Sequence, residues 1–212
     1  MCGILFSTDN NEITNREIYI NALALMDHRG PDNRDIFFGK DYVIGHTRLA
    51  IIDVTLDANQ PFWNSNKRYV ISFNGEIYNY KELRRKLIEA GYSMKTNSDT
   101  EVLLEFIVHY GLDTTLECVR GMFAFVYYDT LTKRMIAVRD HFGQKPLYYS
   151  EDDGKLTVSS SIKTILHLRK SLQPNISAYF TYLCTRGIIH PEDTFFSGIK
   201  CLPAGHMLIY DG

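Results

Sequence analysis

No run of apolar residues in this chain approaches the roughly 20 needed to cross a bilayer, and the opening MCGILFS lacks the basic and apolar regions of a secretory signal. A cytoplasmic protein that neither spans nor binds a membrane is expected. The 4 cysteines, Cys2, Cys118, Cys184 and Cys201, stand far apart with no CxxC, and the 7 histidines show no HxxxH spacing. That pattern indicates neither a disulfide framework nor a zinc site. No SGG run, Walker A loop or GxGxxG occurs, so the chain shows no phosphate cradle of its own. Excess charge is missing too. Against 23 Lys and Arg stand 25 Asp and Glu, a formal charge of −2, which leaves no electrostatic footprint for nucleic acid or an anionic membrane. Repeats and low-complexity tracts are also absent. What the chain does have is bulk apolar content: 45% hydrophobic residues, with 14 tyrosines and 12 phenylalanines in 212 residues, suffice for a large core.

Capping signals predict three helices. Thr14 with Glu17 opens one that runs to about Met26 and is broken by HRGPD at 28–32. Asn79 with Glu82 opens YKELRRKLIEAG, ended by Gly91, and Ser98 with Glu101 opens DTEVLLEFIVHYG, ended by Gly111. Runs of β-branched and aromatic residues predict strands over 35–38, 42–52, 69–73, 122–128, 135–138, 147–150 and 156–159. Two more short helices, over 162–168 and 177–185, precede a closing strand in LPAGHMLIYDG. Short turn signals between neighbouring strands favour antiparallel hairpins, and there is no βαβ alternation, so an α+β layered fold is expected.

Four positions could carry chemistry, and each has a plainer reading. Cys2 is either a small buried hydrophobe or, once methionine excision makes it the first residue, a thiol beside a free α-amine that serves as its base. Asn74-Gly75 reads locally as a type I′ hairpin turn. Arg48, in GHTRLAIID, reads as an exposed arginine, and Asp99 as an acid favouring a helix N-terminus.

Eight segments occur in order: MCGI, HRGPD, GHTRLAIID, QPF, FNGEIYN, SDTEVLL, GMFAFVYYD and RDHFGQKPLYY. In these the chain resembles the glutamine-hydrolysing domain of the asparagine synthetases, class II glutamine amidotransferases of the N-terminal-nucleophile hydrolase fold. The resemblance implies a four-layer αββα sandwich of two mainly antiparallel sheets, a single glutaminase domain over 1–212. It implies hydrolysis of L-glutamine to glutamate and ammonia through a thioester on Cys2, with the Asn74 side-chain amide and the Gly75 N–H as the oxyanion hole. Arg48 would grip the α-carboxylate and Asp99 the α-ammonium. The backbone of Leu49, Ala50, Ile51 and Ile52, with Glu76, would line the pocket. His28, Arg139 and Asp140 are expected to shape loops, and Cys118, Cys184 and Cys201 to fill the core.

The resemblance further implies a C-terminal ATP-dependent synthetase domain, absent from this chain, or a partner subunit in its place. ATP and Mg would belong there, with no cofactor in this chain. Ammonia would amidate aspartate or, as in relatives from surface-polysaccharide pathways, a sugar acid. A homodimer is left open. Two rival readings remain: a degenerate domain that binds glutamine or a partner without catalysis, and an amide hydrolase of the same fold with another substrate.

Overall fold

A computed structural model describes residues 1–8, 15–169, 171–187 and 190–212. In chain order they form β1 (Gly3–Thr8), α1 (Arg16–Ala24), β2 (Asn33–Phe38), β3 (Tyr42–Arg48), β4 (Phe62–Trp63), β5 (Tyr69–Ile77), α2 (Tyr80–Glu89), α3 (Asp99–Tyr110), α4 (Leu112–Cys118), β6 (Gly121–Asp129), β7 (Arg134–Arg139), β8 (Tyr148–Asp152), β9 (Lys155–Ser159), α5 (Ile162–Leu168), α6 (Ile176–Thr185), β10 (Lys200–Cys201) and β11 (Met207–Tyr210). The strands make a six-stranded sheet, ordered β10-β8-β9-β1-β3-β2, and a five-stranded one, ordered β11-β7-β6-β5-β4. Each ladder between neighbours is antiparallel.

Side-chain alternation along the strands sets the layers. Ile4 and Phe6 of β1 point into the space between the sheets, whereas Leu5 turns the other way and packs with Ala22, Leu23 and Met26 of α1 and its C-terminal turn. On β6, Ala124, Val126 and Tyr128 face the other sheet, while Phe123, Phe125 and Tyr127 meet Leu83 and Leu87 of α2 and Val102 and Phe106 of α3. A sheet apolar on both faces needs cover on both. Two such sheets therefore stack with helices outside, giving the αββα sandwich.

One polar pair lies in the inter-sheet layer. The Ser72 hydroxyl donates to the Gly45 carbonyl (3.1 Å) and so accepts from His46 Nδ1 (3.0 Å). Complete burial, with the Arg48 charge nearby, pushes the His46 imidazole down to about 3, so it stays neutral.

Local signals and tertiary context part at several places. The predicted strand over 42–52 ends at Arg48, because its ladder partners stop there: β1 begins at Gly3, opposite Thr47, and β2 at Asn33, opposite Arg48. Beyond Arg48 the chain leaves the sheet and exposes Ile51, Val54 and Leu56. Asn74-Gly75 is no turn; β5 continues through Ile77, pairing Asn74 with Ala124 and Gly75 with Phe123. Gly75 is required by close approach, since a Cβ there would sit 2.3 Å from the Met122 carbonyl oxygen.

The caps also differ in detail. Thr14 lies outside the described residues, and Asn15 caps α1 by accepting from the Ile18 N–H. Asn79 makes no cap bond. Its amide instead donates to the Cys118 carbonyl and accepts from the Arg120 N–H, tying the start of α2 to the α4–β6 connection. Ser98 caps α3 as expected, accepting from the Glu101 N–H at 3.2 Å. The short α4 and β4 carried no local signal strong enough to be foreseen. Cys184, expected in the core, is exposed on α6, and Cys118 and Cys201 are half-buried.

The layer model makes a stability prediction at Phe125, which is fully buried against the helical layer. Phe125→Ala should lower unfolding stability by about 3–5 kcal/mol, seen as a lower urea midpoint at unchanged slope.

Candidate active site

The two sheets bring the start of β1 against the middle of β5. Cys2, directly ahead of β1, donates its backbone N–H to Asn74 Oδ1 at 2.9 Å. A backbone N–H can only donate, so the Asn74 oxygen must face it and the Nδ2 amine must face away. That Nδ2 is buried and without a partner among the described residues. The Cys2 thiol sits against Leu49, whose N–H lies 3.4 Å from Sγ and whose carbonyl lies 3.8 Å from it. Arg29 Nε donates to the Cys2 carbonyl at 2.9 Å, fixing the residue from behind.

The N–H groups of β5 that point away from β6 belong to alternate residues. Phe73 gives its N–H to Gln60 Oε1 (2.6 Å) and Ile77 gives its own to Asp99 Oδ2 (3.0 Å). Gly75, midway between them, has the same phase. Across the ladder, Phe123 uses its N–H and its carbonyl on Asp140, so Gly75 faces it as a non-hydrogen-bonded pair. Its N–H is thereby directed away from β6, on the side from which Gln60 and Asp99 reach the neighbouring N–H groups.

These groups line one cavity of about 280 Å³. Of the residues singled out from the sequence, Cys2, Arg48, Leu49, Ile51, Ile52, Asn74, Gly75, Glu76 and Asp99 all line it. Ala50 does not. Its N–H turns away to Asp32 Oδ2 (2.8 Å), a contact that anchors the 49–55 loop to the HRGPD segment. Eight residues not foreseen join the wall: Met1, Asp53, Gln60, Phe73, Ser98, Thr100, Met122 and Lys145. Gln60 and Lys145 stand within QPF and RDHFGQKPLYY, but no local feature marks them as pocket residues.

Arg48 is buried, contrary to its plain reading, and three of its five N–H donors hold the loop above it. Nη1 donates to the Thr55 carbonyl (2.9 Å) and Asn59 Oδ1 (2.7 Å), and Nη2 to the Asp53 carbonyl. The Asp53 carboxylate accepts from Thr55 and, at 2.7 Å, from the Asn97 N–H. Those hydrogen bonds keep it below the usual carboxylate range. The guanidinium and Asp53 together tie the 49–59 segment to the start of α3.

Asp99 supplies the opposite charge. It is 6% exposed, and burial pushes its carboxyl up to about 6; the Ile77 N–H and the first-turn amides of α3 oppose the shift, and Glu76 adds to it. Among the described residues no cationic side chain pairs with it. The Cys2 thiol is raised chiefly by burial, with the Leu49 N–H, the positive chain terminus and Arg48 pulling it back. It is therefore a thiol in need of a base.

Arg139 and Asp140 shape a loop, as expected. The Asp140 carboxylate accepts from the N–H groups of Phe123, Phe142, Gln144 and Lys145. Arg139 donates to the carbonyls of Gly143, Lys145 and Leu202. The result carries Lys145 to the cavity wall. His28 is exposed at the surface.

The family model described as "Glutamine amidotransferase domain" matches residues 1–212. Curated relatives include the glutamine-hydrolysing asparagine synthetase 1 of Bacillus subtilis, 37% identical over 91% of this chain and 31% of its own length. Asparagine synthetase B of Escherichia coli is 35% identical over 82% of this chain and 31% of its length. Amidase chry2 of Gibberella zeae is 35% identical over 89% of this chain and 27% of its length. The chain thus spans less than a third of each of these relatives. Two solved structures share the fold. One, titled as the allosteric regulatory enzyme of purine biosynthesis, aligns with a TM-score of 0.74 at 19% identity, covering 99% of this chain and 47% of that one. The glutamine phosphoribosylpyrophosphate amidotransferase of Bacillus subtilis aligns with a TM-score of 0.67 at 22% identity, covering 79% and 43%.

The electrostatics of the thiol can be checked without any substrate. Treated with iodoacetamide at pH 8, the chain with Met1 in place should be alkylated first at exposed Cys184 and only slowly at Cys2, whose thiolate fraction burial suppresses. Peptide mapping against time reads the order. Faster labelling of Cys2 would mean that its environment stabilises the thiolate.

Proposed function

Because the chain belongs to the glutamine amidotransferase domain family, we propose that it hydrolyses L-glutamine to glutamate and ammonia through a thioester on Cys2. The ammonia passes to an ATP-dependent synthetase-type domain or subunit, where ATP and Mg act and where aspartate or a sugar acid is amidated. The observation that carries the reading is Asn74, whose Oδ1 is held by Cys2 while its buried Nδ2 has no partner among the described residues. A buried amide left half-satisfied costs on the order of 1–3 kcal/mol. A ligand oxygen arriving there removes that cost.

In this reading Met1 is excised and the Cys2 amine, still beside Asn74 Oδ1, takes the thiol proton. Sγ attacks the side-chain amide carbon of glutamine, and the oxygen that becomes negative is met by Asn74 Nδ2 and the Gly75 N–H. Collapse of this intermediate breaks the C–N bond, the amine returns its proton to the leaving nitrogen, and ammonia departs. Water, deprotonated by the same amine, then cleaves the thioester to glutamate. The free N–H groups of Arg48 receive the α-carboxylate in bidentate fashion. Asp99 receives the α-ammonium, a demand that only a free amino acid meets.

Mass spectrometry of active protein from a cytosolic host should show loss of Met1, and Met1 retained on a working enzyme would remove the amine from the mechanism. Cys2→Ala should fold normally and have no glutaminase activity. Asn74→Ala should lower kcat by about 10² to 10³, because it removes a donor aimed at charge that develops only in the transition state. An unchanged kcat would reduce Asn74 to a structural role.

A pH dependence also follows from Asp99. Its free carboxyl titrates at about 6, and only the carboxylate form attracts an ammonium group, so kcat/KM for glutamine should fall as pH drops through that value. Once glutamine is bound, the opposite charge lowers the carboxyl pKa, so kcat should be affected at lower pH than kcat/KM. Asp99→Asn should raise KM and remove the part of the acid-side fall near pH 6, leaving the part set by protonation of the Cys2 amine, which steady-state kinetics from pH 5 to 8 would reveal.

A further inference from the structure

Helix α6 is built against the usual rule for a surface helix. Its sequence, ISAYFTYLCT, contains no charged residue, and among its ten residues only Ala178 is buried. Ile176, Phe180 and Leu183, at the i, i+4, i+7 spacing that normally turns inward, are 70%, 69% and 78% exposed. Leu172, just ahead of the helix, is exposed as well. Tyr179 and Tyr182 lean on Phe195, with ring centroids 4.8 and 5.3 Å apart, which seats the helix and leaves the Ile176–Phe180–Leu183 stripe facing outward. The contrast with α2 is direct. That helix buries Leu83 and Leu87 and keeps Lys81, Glu82, Arg85, Lys86 and Glu89 in water. A contiguous apolar, aromatic-rich patch on a water-facing helix marks a surface that another protein covers.

We propose that the outer face of α6 is the docking face for the synthetase-type domain or subunit that receives the ammonia; the inference rests on the function proposed above. Its occupant is argued from the relatives: those that match this chain carry more than two thirds of their length outside the matched part, so a further large unit accompanies this domain in each of them. The absence of charge on the helix speaks against nucleic acid or an anionic membrane as the occupant.

The test replaces Phe180 by a photoreactive benzoylphenylalanine in the protein expressed from its natural locus in its own host, followed by irradiation and peptide mapping of the adducts. The expected result is a cross-link to a peptide of a nucleotide-using synthetase-type polypeptide, whether on the same chain or a separate one. A cross-link to α6 of a second copy, or none at all, would overturn the proposal. In parallel, Phe180→Ser combined with Leu183→Ser should weaken association with that polypeptide by roughly tenfold or more, with glutaminase activity and thermal stability retained. Unchanged association would again overturn it. Because glutamine hydrolysis is assayed separately, an active glutaminase without the adduct sinks only the docking face, whereas an adduct on a protein that hydrolyses no glutamine sinks only the catalytic reading.

Discussion

The hydrogen bond from the Cys2 N–H to Asn74 Oδ1 joins two residues 72 positions apart, and the geometry of the cavity depends on it. It exists because two sheets are pressed face to face: Ile4 and Phe6 on one side, Val70, Ala124 and Val126 on the other, all buried in a common layer. Apolar burial in that layer supplies the drive, at about 25 cal/mol per Å², and the polar contact at its edge supplies the register. Once Asn74 is oriented by Cys2, its amine is left facing away from Cys2, buried and without a partner among the described residues. The phase of β5 turns the Gly75 N–H away from β6.

The cavity wall is held by contacts that also determine its charge. Arg48 secures the 49–59 segment through three carbonyl or amide oxygens, and Asp53 secures the same segment to the residue ahead of Ser98. One guanidinium therefore both builds the wall and presents positive charge to the interior. Asp99 is placed by the α3 cap and by its bond to Ile77, and its carboxylate is buried with no cation of the chain beside it among the described residues. A buried carboxylate with no countercharge is costly, and a positively charged group placed beside it would relieve that cost.

A second kind of rigidity surrounds the loop at 139–145. One carboxylate, Asp140, gathers four backbone N–H groups, and one guanidinium, Arg139, gathers three carbonyls. Although His141, Phe142 and Gln144 are exposed, two adjacent side chains hold seven backbone groups in and around the loop. The loop is thus held at both ends, and its last residue reaches the cavity from the side where Leu202, next to β10, meets Arg139.

By itself the sequence determined the kinds of element and their chemistry: the period-two strands, the Ser98 cap of α3, the antiparallel hairpins, and a set of ordered motifs containing nearly every residue of the cavity wall. Patterns of this sort are local, since side-chain alternation and capping involve neighbours a few residues apart. Tertiary structure decided where those patterns stop and which way the groups face. Asn74-Gly75 has the local chemistry of a turn, yet β6 alongside it holds the pair in an extended ladder. The apolar run after Arg48 looks like more strand, but neither flanking strand continues to pair with it, so it becomes the loop that roofs the cavity. Ala50 lies in that loop and still points away, because Asp32 claims its N–H. Burial of Arg48, the raised carboxyl of Asp99 and the unpartnered amine of Asn74 all arise from segments tens of residues apart closing around one space. No window of sequence contains both sides of such a contact, which is why only the packed sheets could decide them.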